Sequence, residues 1–217
     1  GKTGVVVLGV VSTGKYFAPG LVAEIAAIFP GIEIILRVGN RDRIIAALQN
    51  GTIDLAIMGR PPRSPAVTAH AIGAHPHVLI APPDHPLATA RSVNAQAILG
   101  ETFIAREHGS GTRILMMRYL DRIGDGAPYR SVEMGTNETI KQAVMARLGI
   151  ALISQHTVTD ELNSGRLVAL RVEGLPILRQ WYLLHRDDLD MTPTRRQVFG
   201  LIEGMQGAFL PVLTPED

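Results

Sequence analysis

Apolar residues along this chain fall into short runs separated by stretches of helical spacing. "GVVVLGVVS", from Gly4 to Ser12, is a β-branched run that predicts a buried strand. Thr13-Gly14-Lys15 follows as a turn. From Tyr16 the apolar positions Phe17, Leu21, Ile25, Ile28 and Phe29 recur at helical spacing, and Pro30-Gly31 stops that helix. "IEIILRVG" predicts a second strand. "NRDRIIAALQNG" predicts a short helix with Asn40 as its N-cap and Gly51 as its stop. "DLAIMG" predicts a third strand. The β-α-β-α-β order is that of a parallel sheet flanked by helices.

The texture changes at "RPPRSP" (60–65), which fits no regular element. "HVLIAPP" (77–83) predicts a strand and "DHPLA" a turn. After "ETFIAREHGSGT" comes a predicted helix, "RILMMRYLDRIG". "YRSVEMG" reads as a strand, "TNETIKQAVMARLG" as a helix and "IALIS" as a strand. "VTDELNSG" and "RLVALRV" add a helix and a strand. "LRQWYLLHR" (178–186) is a further strand, and a terminal helix begins near Thr192 with Pro193 in its first turn. Two similar α/β units are expected, with no repeat of solenoid period.

Bulk numbers narrow the function. The 217 residues suffice for one large domain or two small ones. Lys and Arg number 21 against 20 Asp and Glu, so no basic excess marks a nucleic-acid binder. Aromatics are 5%, too few for a stacking surface for single strands. Zero cysteines exclude disulfides, Fe–S clusters and Cys-type zinc sites, in keeping with a cytoplasmic location. No segment approaches the roughly 18 apolar residues of a membrane span. Gly1 stands where an initiating Met would, so the chain is read as beginning inside a longer protein.

Catalytic chemistry finds little support. "HGSGT" departs from the G-x-S-x-G elbow because His108 occupies the first glycine position. His75 and His77 sit at a strand entry without an acidic cluster, so no metal site is expected. No catalytic residue, and no enzyme, is expected. An anion cradle fares better. Ser12-Thr13-Gly14-Lys15, Gly39-Asn40-Arg41, Arg106 with Gly109-Ser110-Gly111-Thr112-Arg113, and Gly135-Thr136-Asn137 all stand at strand-to-helix junctions, and Arg60 follows a strand directly. Helix starts offer N–H groups and a positive dipole end, and parallel sheets gather such junctions at the carboxyl ends of their strands. The plain alternative is that Ser, Thr and Asn merely cap helices there.

The residues also resemble a known family. The stretch from "VVSTGKYFAP" through "RVGNRDRIIAAL" to "DLAIMGRPP", with "HVLIAPPDHPLA" and "ETIKQAVMARLGIALIS", resembles the effector-binding domain of LysR-type transcriptional regulators. "FIAREHGSGTR" and the first segments are similar, more narrowly, to CbbR-type regulators of carbon dioxide fixation (Calvin cycle) operons. Gly14 and Gly20 stand where many relatives carry larger residues. The resemblance implies two Rossmann-like subdomains of the type 2 periplasmic-binding-protein fold, with a winged helix-turn-helix preceding them. It implies a homodimer or homotetramer that meets DNA only through that missing N-terminal domain and has no membrane partner. It implies no cofactor but a small anionic or phosphorylated effector in the cleft between subdomains, with NADPH or a sugar phosphate as candidates. The expected effector-binding residues are Ser12, Thr13, Lys15, Asn40, Arg60, Arg106, Ser110, Gly111, Thr112 and Asn137, with "REHGSGT" facing "STGK". The rival reading sends Arg106 to a structural carboxylate such as Glu107 or Glu133. A transporter's solute-binding protein of the same fold is the alternative function.

The expected subdomain boundaries are residues 1–75 with 181–217, and 76–180. Helix 16–29 carries apolar residues on more than one face (Phe17, Leu21, Val22, Ala26, Phe29), and that surplus predicts a partner copy.

Overall fold

The computed structural model describes residues 3–215. Its chain divides into two compact units: residues 3–75 with Arg179–Pro211, and Pro76–Leu178 with residues 212–215. The second crossing falls after Leu178, and residues 212–215 group with the second unit.

In the first unit β1 (Gly4–Val11) is followed by a 3-10 turn (Ser12–Gly14), α1 (Ala18–Ile28), β2 (Ile32–Gly39), α2 (Arg41–Asn50) and β3 (Leu55–Met58). β1 pairs in parallel with both β2 and β3. β4 (Val67–Ala81) starts in this unit, and β9 (Ile177–Arg186) ends in it, antiparallel to β3. α6 (Pro193–Gly204) closes the unit. The core gathers Val6, Leu8 and Val10 of β1, Leu21 and Ile25 of α1, Leu55 and Ile57 of β3, and Trp181 and Leu183 of β9, all fully buried. β1 is buried continuously from Leu8 to Val11, as a parallel strand covered on both faces is.

The second unit takes the end of β4, then β5 (Thr102–Ala105), α3 (Gly111–Gly124), β6 (Arg130–Glu133), α4 (Asn137–Met145), β7 (Ala151–Ser154), α5 (Thr159–Ser164) and the short β8 (Val168–Ala169). β5 and β6 are parallel, the bridge Phe103–Ile150 joins β5 to the entry of β7, and β4 pairs antiparallel with β7 and β8. Phe103, Met116, Tyr119, Leu120 and Leu152 fill one core, and Val78, Ile80, Ile104, Ile140 and Val144 fill another. The fold is the α/β, type 2 periplasmic-binding-protein fold that the sequence suggested.

Two elements differ from expectation. β4 begins at Val67, ten residues before the predicted strand at His77, and ends before Pro82. α1 starts at Ala18, not Tyr16, because a 3-10 turn occupies Ser12–Gly14 and Pro19 sits in the first turn of the helix. Phe17, counted among the surplus apolar residues, is 4% exposed and belongs to the core of its own unit. It meets Trp181 edge-on at 5.0 Å, and Trp181 in turn stacks on His75 at 3.9 Å. On α1, Ala26 and Ile28 are exposed and Val22 is half-buried, and Val38 on the edge strand β2 is exposed as well.

Candidate functional site

Parallel pairing fixes where the candidate residues of the first unit lie. β1, β2 and β3 run the same way, so the turns after Val11, Gly39 and Met58 share one edge of the sheet. Ser12 and Thr13 form the 3-10 turn there, and Lys15 follows with its ammonium 5.4 Å from the Tyr16 ring centroid. Thr13 is buried and Ser12 and Lys15 are half-buried. Asn40 caps α2: its Oδ1 accepts from the Arg43 N–H at 3.0 Å. Arg60 is exposed, and its carbonyl accepts from the Arg41 guanidinium. The structure therefore confirms the cap at Asn40 and places all five residues on one edge.

The second unit brings its candidates closer together. β5, β6 and β7 also run in parallel, and Arg106, Asn137 and the Ser154–Thr157 turn follow their carboxyl ends. Gly109, with φ 91°, turns the chain after β5 into α3 through a left-handed conformation that a side chain would strain. Ser110 is the N-cap of α3, its Oγ accepting from the Arg113 N–H at 3.4 Å, while Gly111 and Thr112 form the first turn. Ser110 caps the helix because its backbone is extended and its hydroxyl faces the helix start. Thr136 caps α4 by accepting from the Thr139 N–H at 3.1 Å, which makes Asn137 the first helical residue.

Arg106 ties these pieces together. It is 3% exposed and points its Nη1 at Asn137 Oδ1, 2.7 Å away. Its other donors grip Glu107, Nε to Oε1 at 2.7 Å and Nη2 to Oε2 at 3.1 Å. The structural carboxylate of the rival reading is thus present, and it is Glu107, not Glu133. Glu133 goes instead to Arg113, whose Nη1 also donates to the Arg106 carbonyl at 2.7 Å. The bidentate fork leaves the Arg106 charge balanced within the chain. The Asn137 amide nitrogen, on a side chain 1% exposed, has no hydrogen-bond partner among the described residues.

Several polar residues of this edge escaped the sequence reading. Lys141, one turn along α4 from Asn137, is buried and donates to the Thr157 carbonyl at 3.1 Å and to Glu161 at 3.2 Å. His156, in the turn after β7, is 5% exposed, and burial pushes its pKa down to about 4, so it is neutral at pH 7. The i,i+4 spacing of Asn137 and Lys141 placed both on one helix face, but nothing in sequence marked that face as polar and buried. Among the described residues no group of three or more His, Asp or Glu is placed to hold a metal ion, and no helix is long and apolar enough to cross a membrane.

The chain is 53% identical over 211 residues to the HTH-type transcriptional regulator CbbR of Cereibacter sphaeroides, which covers 97% of this chain and 68% of the relative. It is 46% identical over 211 residues to the regulator of the same name from Xanthobacter flavus, covering 97% of this chain and 63% of the relative. The chain thus spans about two thirds of the length of these relatives. The solved regulatory domain of Synechocystis CcmR, in complex with 2-PG, superimposes with a TM-score of 0.89 at 34% identity, over 94% of this chain and 98% of that one. The model of the LysR substrate binding domain matches residues 1–206. The chain belongs to the LysR substrate binding domain family, and within it to the effector-binding domains of CbbR-type regulators.

Proposed function

We propose that this chain senses a small anionic or phosphorylated metabolite and, in its full-length protein, sets the transcription of a carbon-fixation operon from DNA held by a preceding helix-turn-helix. The relatives named as transcriptional regulators support the regulatory role and a non-enzymatic one. The observation that carries the anionic effector is local. The start of α4 carries a buried Arg106–Asn137 bond, and α3 begins at Gly111 on the strand exit that Arg106 opens, at the carboxyl edge of parallel strands. Helix starts favour anionic oxygens through their N–H groups and dipole. Ser12, Thr13, Lys15, Asn40 and Arg60 supply a second set of such groups at the corresponding edge of the first unit. The CcmR domain, solved with 2-PG, makes that compound the first ligand to try, with NADPH and sugar phosphates beside it. The protein works in the cytoplasm, as a homodimer or homotetramer.

Isothermal titration calorimetry of the chain against 2-PG, NADPH and a panel of sugar phosphates tests the reading. Saturable binding of at least one, with a stoichiometry of one per chain, is expected. Absence of heat for all of them at millimolar concentration would overturn it.

A further inference from the structure

Arginine carries only donors, so the group facing its Nη1 must be the amide oxygen of Asn137, as the 2.7 Å bond to Oδ1 shows. The amide nitrogen is thereby turned the other way. That nitrogen is buried, stands at the first residue of the nine-residue helix α4, and finds no acceptor among the described residues. A buried donor left without an acceptor is costly, so this position favours an acceptor brought from outside the chain.

The surrounding charges say what sort of contact it is. Arg106 is matched by Glu107, Arg113 by Glu133 and Lys141 by Glu161. The cations at this edge are already balanced by carboxylates. The Asn137 amide is a neutral N–H donor at the positive end of a helix; Arg113 Nε and Thr157 Oγ1 are the other buried polar atoms of this edge without a partner among the described residues.

We infer that the Asn137 side-chain amide, oriented by Arg106, donates to an acceptor-only oxygen of the effector, a carboxylate or phosphate oxygen, and that Arg106 is a positioning residue instead of the counter-charge. The inference rests on the effector-binding reading above and assigns the contact within it. It explains why an arginine so deeply buried spends its fork on its own neighbour.

The test is titration of 2-PG and NADPH into the wild type and four variants, Asn137→Asp, Asn137→Ala, Arg106→Ala and the double variant Arg106→Ala/Asn137→Ala. Asn137→Asp keeps an oxygen for Arg106 and places a negative charge at a helix start, where it is tolerated, so the fold persists. It removes the donor and repels an anion, and affinity is expected to fall by about 100-fold or more. Asn137→Ala is expected to weaken binding roughly 10- to 100-fold, the range for one hydrogen bond to a charged group. Arg106→Ala is expected to weaken binding in the wild type but to add little once Asn137 is alanine, since it acts through that amide. Wild-type binding that Asn137→Asp and Asn137→Ala leave unchanged overturns the inference while the effector reading stands. Additive losses from Arg106→Ala and Asn137→Ala would return Arg106 to direct contact and overturn the positioning role. No wild-type binding of either compound sinks both. Should the variants lose their dispersed amide spectrum, the wild type decides: its assigned Asn137 side-chain NH2 resonances shift on adding ligand if the inference holds, and stay put if it fails.

Discussion

Gly14 and Gly20 should respond in opposite directions to the same change. A Cβ built on Gly14 would lie 2.4 Å from Val10 Cγ1 and 3.2 Å from Phe17 Cζ. Val10 is fully buried in β1 and Phe17 is wedged against Trp181, so neither neighbour has room to withdraw. Forcing one methyl into a filled core costs about 1–3 kcal/mol. For a chain of this size that corresponds to a melting temperature lower by ~2–12 °C. Gly20 meets nothing within 4 Å of its built Cβ and lies in the first turn of α1. Alanine there reduces the entropy of the unfolded chain and is expected to add about 0.5–1 kcal/mol, or ~1–4 °C. Thermal unfolding followed by circular dichroism reads both. Gly14→Ala should also weaken effector binding, because its turn carries Ser12 and Thr13. A Gly14→Ala protein that melts with the wild type, or a Gly20→Ala protein that melts well below it, would refute the packing argument.

Three further outcomes follow from the same structure. Arg106→Ala should weaken a phosphorylated effector by roughly 1.5–3 kcal/mol, one to two decades in Kd, and should lower stability as well, because it leaves Glu107 and the Asn137 oxygen without their donor; a variant indistinguishable from wild type in titration calorimetry would rule out a role for Arg106 in binding. The His156 pKa is depressed by burial, so the unfolded chain binds more protons than the folded one between pH 6.5 and about 4. Stability from this group is therefore full above pH 6.5 and is lost as pH falls toward 4, by on the order of 2–3 kcal/mol, and His156→Gln should flatten that slope in urea unfolding curves. Ile28 is 53% exposed on α1 and Val38 45% exposed on β2, and if these cover a second copy, sedimentation should show dimer, with Ile28→Asp shifting the chain to monomer; a wild type that sediments as monomer at high concentration would contradict this.

Local signals carried the sequence reading where local physics decides the outcome. The cap at Asn40, the stop at Gly51 and the start at Thr192-Pro193 all formed where side-chain hydrogen bonding and backbone preference place them. The pattern of β4 shows only from His77 because Gly73 and Pro76 interrupt it, yet long-range pairing with neighbouring strands carries the strand through both from Val67. Helical spacing marks Phe17 as apolar but cannot say which apolar face of the helix a 3-10 turn will deliver to the core. At the candidate site, the residue types at the junctions were legible, since glycine, serine and asparagine announce turns and caps. Their partners were not. That Arg106 would fork onto its neighbour Glu107 while its third donor fixed Asn137, 31 positions away, depends on the register of β5 against β6, which no local pattern encodes.

A crystal structure of the chain grown with 2-PG tests the central claim most directly. The account predicts one ligand per chain with its anionic oxygens against the starts of α3 and α4, one of them within hydrogen-bond distance of Asn137 Nδ2. Density for 2-PG away from Asn137, Ser110 and Thr112, or none at saturating concentration, would contradict it.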